Sequence, residues 1–406
     1  MKINPRKSVQ SVKSVKSVFQ HVPQYVPQKN HFMQNYYLLA LLILGLAACQ
    51  SEPTNNEKPA AALSRINGKT MGSGYSIVYV DSISRDLQPT IEDFLKEFNA
   101  QLSTYDSTSL ISQLNKSAQI SLPAKSRYLI EILEISKTIH SQSDGFFNPA
   151  IKPLVNYWGF GYKEKRPRTE SSPAEIDSLL AFTNFDDLVL TWSASRDSLQ
   201  IVKKNPRLQV EFNAIAPGYA ADIIAELLQQ KGINNYLIEV GGEVLAKGQL
   251  PAGGFWRVGI NPPTEGVAVN EITIAVELQN KALATSGNYR NFYKIGEQQV
   301  GHTINPKTGR PEQNQLRSVT IFAPTCAQAD GFATACMASG LAKTKTLLAA
   351  QPQLSAYIMT SRFQTGSGSS RGSPTRTSSR RASRPIPSWA RSPRRSTSAN
   401  SRARTT

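Results

Sequence analysis

One segment limits the architectures open to this chain more than any other: Ala327-Gln-Ala-Asp330-Gly-Phe-Ala-Thr334-Ala-Cys-Met-Ala-Ser-Gly340. It is rich in alanine, contains no proline and meets a glycine at its far end, which predicts a helix over 327–340. Asp330 and Thr334 stand four residues apart, so on a helix they share one face, a carboxylate one turn from a hydroxyl. Such a pair suits a hard, oxygen-seeking cation, Mg²⁺ or alternatively Mn²⁺, that takes few protein ligands and keeps positions for phosphate oxygens. It is equally compatible with a surface aspartate near a helix start, where the dipole favours it, and an unrelated threonine. Spacing alone leaves both readings open.

The formal charge of +17 over 406 residues suggests nucleic acid until it is located. Residues 1–49 hold six Lys or Arg and no acid, and residues 362–406 hold eleven Arg and no acid. Without these ends the middle carries as many bases as acids, twenty-nine of each, so no basic groove and no nucleic-acid partner is expected for the folded part. Residues 36–48 form an apolar run too short to span a bilayer comfortably, ending in Leu46-Ala47-Ala48-Cys49. This pattern resembles a bacterial lipoprotein signal, which implies cleavage before Cys49 and lipidation of its thiol; a short buried helix is the other reading. Cys326, ahead of the key helix, and Cys336 within it should lie on the order of 14 Å apart at ~1.5 Å rise per residue, too far for a disulfide, and both read as small buried side chains. From Arg362 onward the chain is Ser, Arg, Thr, Pro and Gly, a composition that cannot bury a core.

Between these ends, residues 50–62 read as a polar tether and order is expected from Leu63. Strands are predicted at Tyr75–Val80, Val210–Ala216, Tyr236–Val240, 255–260, 271–278 and 318–323, with a hairpin after Arg290. Helices are predicted over 89–102, over 126–142 and from Pro217 to Lys231, the last ending at Gly232. Residues 163–175 read as a charged surface excursion. Strands cluster, with helices between the groups, which favours an α+β fold over a doubly wound sheet.

With these pieces in order, the chain resembles the ApbE family of flavin transferases, FAD:protein FMN transferases that are often periplasmic lipoproteins. The likeness is carried by Thr70-Met71-Gly72-Ser73, by Ser103-Thr104-Tyr105 ahead of the Ser109–Asn115 stretch, by Gly145-Phe146-Phe147-Asn148-Pro149 and by Trp158-Gly159-Phe160-Gly161. It continues through Glu211 before Ile215-Ala216-Pro217-Gly218-Tyr219-Ala220-Ala221-Asp222, then Gly241-Gly242-Glu243, Thr285-Ser286-Gly287-Asn288-Tyr289, His302-Thr303-Ile304-Asn305-Pro306-Lys307-Thr308-Gly309 and Ala329-Asp330 with Thr334. Nine blocks in the right order span about Gly68 to Ala356. The resemblance implies an α+β fold of T-fold type, with mixed or antiparallel sheets and helices packed between, in one large domain over 63–360. It implies FAD as substrate, held by Met71, Tyr105, Phe146, Phe147, Asn148, Glu211, Pro217 and Ile304, and a metal on Asp330, Thr334 and the carbonyl of Ala214. Four positions depart from the family: Asn148 and Phe146 replace the usual Asp and Ala, Pro217 stands where Lys is common, and Thr303 stands where Ile is frequent after the His. The family's usual closing strands after the equivalent of Ala356-Tyr-Ile-Met359 suggest that the 361–406 tail is a frame-shifted end.

The chemistry then follows from residue types. Turns at Gly72–Gly74, Gly241–Gly242 and Ser286–Gly287 can offer N–H groups to phosphates. His302 has the pKa range for taking a proton from an attacking hydroxyl, although a purely hydrogen-bonding role is open to it. Trp158 and Tyr219 can stack on a ring or sit in the core, and Arg290 can pair with a phosphate or with a surface acid. The expected activity is transfer of FMN from FAD to a Thr or Ser of an exported redox protein, with AMP released. The alternatives are an FAD pyrophosphatase using water, a non-catalytic FAD-binding lipoprotein, and an RNA binder acting through the tail. The expected location is the bacterial envelope, anchored by lipid at Cys49 and facing the periplasm.

Overall fold

The computed structural model describes residues 62–161, 171–262, 272, 274–288, 292–295, 298–313 and 315–361. The expected signal segment, the expected lipidation site Cys49, the tether up to residue 61, residues 163–170 of the charged excursion, Tyr289, Arg290 and the tail from Arg362 lie outside the described residues. Among the described residues no helix is long and apolar enough to cross a membrane.

The chain opens with β1 (Ala62–Thr70) and β2 (Ser73–Asp81), a hairpin in register from Ala62↔Asp81 to Thr70↔Ser73. Its two-residue turn, Met71-Gly72, has φ of 49° and 73°. Paired positive φ values match the twist of a hairpin, but they are ordinarily taken by Asn or Gly rather than Met. Three helices follow, α1 (Gln88–Leu102), α2 (Leu110–Lys116) and α3 (Arg127–Gln142), with β3 (Gln119–Pro123) before the last. Short helices α4 (Lys152–Tyr157) and α5 (Pro173–Leu180) lead to β4 (Leu188–Trp192) and β5 (Ser198–Lys203). Part of the expected surface excursion is therefore helix α5, started by Ser172, whose hydroxyl accepts from Glu175 N at 3.4 Å.

Helix α6 (Ala216–Gln230) carries Pro217 in its first turn, and Gly232 follows it at φ 78°. The remaining strands are β6 (Tyr236–Val240), β7 (Glu243–Lys247), β8 (Trp256–Ile260), β9 (Ile274–Leu278), β10 (Lys281–Gly287), β11 (Phe292–Ile295), β12 (Gln298–Gly301), β13 (Ile304–Asn305), β14 (Arg310–Pro311) and β15 (Leu316–Ala323). Helix α7 (Cys326–Ala349) and β16 (Ser355–Thr360) close the fold. Cys326 is the first residue of α7 rather than ahead of it. Gly340, at φ 77° and ψ 168°, breaks the helix where a stop was expected, and a second helical stretch continues to Ala349.

A seven-stranded antiparallel sheet, β1-β2-β6-β7-β10-β15-β16, forms the centre. Strand alternation gives it two unlike faces. Tyr75, Ile77, Tyr79, Ile238, Val240, Ala282, Ala284, Val319 and Ile321 point into a large core shared with α1, α3, α6 and α7. Val78, Val244, Ala246 and Leu283 point the other way, under the β8–β9 hairpin with Trp256, Ile260 and Leu278. A separate antiparallel sheet, β3-β5-β4, adds Leu122, Leu188, Leu199 and Ile201 to the large core.

The expected strand at Val210–Ala216 is not one. Val210 and Phe212 are buried, but the backbone pairs with no strand. The Asn115 amide takes the place of a neighbouring strand, accepting from Val210 N at 2.7 Å and donating to Val210 O at 2.8 Å. Glu211 N donates to Pro149 O at 2.9 Å. Apolar alternation here reports burial of an extended segment whose hydrogen bonds are met by one side chain and a loop carbonyl rather than by a neighbouring strand.

Candidate active site

The first half of α7 is buried on nearly every side, and its small residues allow that. An added Cβ at Gly218 of α6 would lie 2.5 Å from Cys326 O and 2.9 Å from Asp330 Cβ, so only glycine admits this approach of α6 to α7. Asp222 of α6 aims the helix: its carboxylate accepts from Cys326 N at 2.7 Å and Ala327 N at 2.8 Å, satisfying two of the free N–H groups at the α7 start. Burial outweighs these bonds and pushes the Asp222 carboxyl up to about 7. Thr325 adds a cap, accepting from Gln328 N at 3.3 Å.

One turn into α7, Asp330 is buried and faces a cleft of about 540 Å³. Burial, followed by the negative charge of Glu243, holds its carboxyl well above the usual carboxylate range; the N–H of Gly218, at 3.3 Å from Oδ2, pulls the other way. Glu243 and, more weakly, Asp222 thus repel charge on the buried Asp330, a setting that favours a positive charge beside it. Glu243 was not singled out from the sequence; its signal is the acid that follows the Gly241-Gly242 turn at the start of β7. Among the described residues no cluster of three or more His, Cys, Asp or Glu has the arrangement of a metal centre. A cation here would rest on one carboxylate and neutral oxygens, the donor set that Asp330, Thr334 and the Ala214 carbonyl supply. All three residues line the cleft. Hard oxygen donors beside an uncompensated buried acid fit Mg²⁺ or Mn²⁺.

The same cleft is lined by every other residue expected at the site: Met71, Tyr105, Phe146, Phe147, Asn148, Glu211, Pro217, His302 and Ile304. They arrive from the β1–β2 turn, the loop after α1, the loop after α3, the segment before α6 and its first turn, and the stretch from β12 to β13. Tyr105 is 68% exposed at the rim, while Phe147 is buried in the floor. Phe146 has Lys307 Nζ at 5.7 Å and Lys343 Nζ at 5.9 Å from its ring centre. His302 stands edge-on to Phe160, with centroids 6.3 Å apart, and Phe160 stacks on Tyr293 at 5.2 Å. Asn148 is committed to the protein itself: Oδ1 accepts from Ala150 N at 2.9 Å, and Nδ2 donates to Thr183 O at 2.9 Å. A carboxylate could not make the second bond, so asparagine in this position suits the local fold.

Other expectations resolve differently. Of the three glycine turns, Gly241, Ser286 and Gly287 line the cleft; the Gly72–Gly74 turn contributes only its neighbour Met71. Trp158 and Tyr219 are core residues, Trp158 Nε1 donating to Gly309 O at 2.7 Å and the Tyr219 hydroxyl donating to Glu131. Both cysteines are buried and unpaired with each other.

Against known proteins, the model of the ApbE family matches residues 71–358. The chain belongs to the ApbE family. It is 34% identical over 327 residues to the FAD:protein FMN transferase of Escherichia coli K12, covering 79% of this chain and 92% of that one. The FAD:protein FMN transferase of Haemophilus influenzae is 33% identical over 299 residues, covering 72% and 83%. Among solved structures, the flavin transferase ApbE from Vibrio cholerae aligns with a TM-score of 0.63 at 32% identity, over 74% of this chain and 94% of that one. The apo flavinyl transferase ApbE of Pseudomonas stutzeri aligns at 0.65 and 31% identity, over 75% and 93%. The ApbE fold expected from the motifs is the fold observed, with antiparallel pairing throughout the described ladders.

Proposed function

We propose that this ApbE protein is an FAD:protein FMN transferase that links FMN by a phosphoester to a Thr or Ser of an acceptor protein and releases AMP. The observation that carries this reading is a buried acid, Asp330, set beside Glu243 on the floor of a cleft lined by aromatic and apolar side chains, in a chain whose ApbE relatives carry that activity in their names. The apolar wall, with Tyr105 at its rim and Phe146, Ile151, Val155 and Phe160 beside it, suits the flat rings of FAD. The floor, with Asp330, Thr334, Ala214 and the turns at Gly241 and Ser286–Gly287, suits its pyrophosphate. Asp330, Thr334 and the Ala214 carbonyl would hold a divalent cation such as Mg²⁺ or Mn²⁺, which would supply charge withdrawal from the pyrophosphate oxygens and so favour AMP as leaving group. The acceptor hydroxyl oxygen bonds to the phosphorus of the FMN half, the phosphorus–oxygen bond to AMP breaks, and His302 receives the hydroxyl proton.

The pyrophosphatase alternative differs only in the nucleophile, water in place of an acceptor. The chain with FAD, Mg²⁺ and an acceptor domain bearing an exposed Thr should add FMN to the acceptor, with Asp330→Ala inactive. Free FMN with an unlabelled acceptor would contradict the transferase reading. The same reading places the protein at the bacterial envelope, tethered through lipid on Cys49. Radiolabelled palmitate incorporated by wild type and lost in Cys49→Ser is the expected result, and no incorporation would overturn it.

A further inference from the structure

Glu211 is held with unusual completeness for a residue outside any helix or strand. Its own N–H is bound by Pro149 O, and the residue before it is clamped through both backbone groups by Asn115. The carboxylate lies in the cleft wall with an 11% exposed side chain. Behind it, outside the cleft lining, the Lys152 ammonium sits 3.9 Å from Oε2 on a side chain that is 10% exposed. Taking two charges out of water is costly, and apolar residues of similar size would fill this space at less cost. Burial pushes the Glu211 carboxyl up, and Lys152 opposes that rise. A charge kept at such cost on a preformed backbone, with one side open to a ligand cleft, is arranged for recognition.

We propose that Lys152 is a positioning residue for FAD: its ammonium anchors the Glu211 carboxylate as an acceptor facing the cleft, where it takes a hydrogen bond from an N–H of the substrate. This rests on the reading of the cleft as the FAD site. FAD offers two such donors, the adenine amino group and the imide of the flavin ring. A site built to accept from an N–H rejects ligands that lack it, because the buried acceptor is then left unpaired. Lys152 itself touches no substrate; Pro149, which binds Glu211 N, and Lys152 lie on one short stretch, so backbone and side chain are positioned together.

The test measures FAD binding to the full chain by flavin fluorescence, alongside AMP release and thermal stability. Lys152→Met and Glu211→Gln should each weaken FAD by about ten- to a hundredfold, the loss falling on KM rather than kcat, and Lys152→Arg should recover most of it. The double variant removes both buried charges, so it should regain thermal stability without regaining FAD affinity. Wild-type affinity in the double variant would reduce the pair to a structural role and overturn the proposal. Loss in Glu211→Gln with none in Lys152→Met would overturn it while sparing the FAD site. No loss in Glu211→Gln would overturn both the proposal and this placement of the substrate. FMN and ADP as competitors separate the donors: weakened FMN binding in Glu211→Gln assigns the flavin imide, and weakened ADP binding assigns the adenine amino group.

Discussion

The two walls of the cleft are built on different principles. The acidic floor grows out of the large core, where α7 lies against α6 and the central sheet and where Asp330 is buried. The aromatic wall is made from loops and short helices, and its outermost ring, Tyr105, is 68% exposed. On the floor Asp330 is fixed by the close approach of α6 to α7, and its chemistry comes from a buried carboxyl set beside another acid, Glu243. On the aromatic wall the chemistry is shape and surface, and it tolerates looser support. Change to the floor should therefore act on turnover, and change to the wall on affinity.

The sharpest break of that contrast is Asp330→Ala, which should lower AMP release by at least about a hundredfold while the fold persists, as followed by circular dichroism. Next is Gly218→Ala, which leaves every polar group in place. Its Cβ, 2.5 Å from Cys326 O, must push α7 away, with an expected cost of about 1–3 kcal/mol in denaturant unfolding and a matching loss of turnover. A turnover equal to wild type would show that the position of α7 is not critical. Smaller is the pH dependence from Asp222, whose carboxyl stands near 7 in the fold against an ordinary 3.8. Between those values the unfolded chain has lost a proton that the folded chain keeps, so stability should fall as pH rises through that window. Asp222→Asn should flatten the fall between about pH 4 and pH 7 in thermal melts, and an unchanged slope would assign it to other groups. The smallest effect expected is Tyr105→Ala at the rim, roughly 1 kcal/mol of lost stacking, seen as a few-fold rise in the KM for FAD with kcat kept.

The same contrast explains what could be read from the chain. The α7 helix, its break at Gly340 and the shared face of Asp330 and Thr334 follow from local spacing, and β6 runs from Tyr236 to Val240 as its alternation predicts. The motif blocks from Met71 to Thr334 converge on one cleft although they are scattered along the sequence. What stayed hidden depends on partners remote in the chain. Asn115 reaches Val210 across 95 positions, and no local pattern marks an amide that stands in for a strand. Lys152 and Glu211 likewise meet only once the segment before α6 folds back on the loop after α3. Asn148, a departure from the family pattern, has its reason in Thr183 O, a partner 35 positions away.

The central claim is that the buried Asp330 beside Glu243 on the floor is a seat for positive charge, maintained at a cost to the fold. It is tested most directly by the melting temperatures of wild type and Asp330→Asn at pH 8, each with and without Mg²⁺. Replacing a buried acid that Glu243 repels should raise the melting temperature of Asp330→Asn above wild type without Mg²⁺, and added Mg²⁺ should then raise wild type alone. A lower melting temperature for Asp330→Asn, or an equal rise in both proteins, would contradict it.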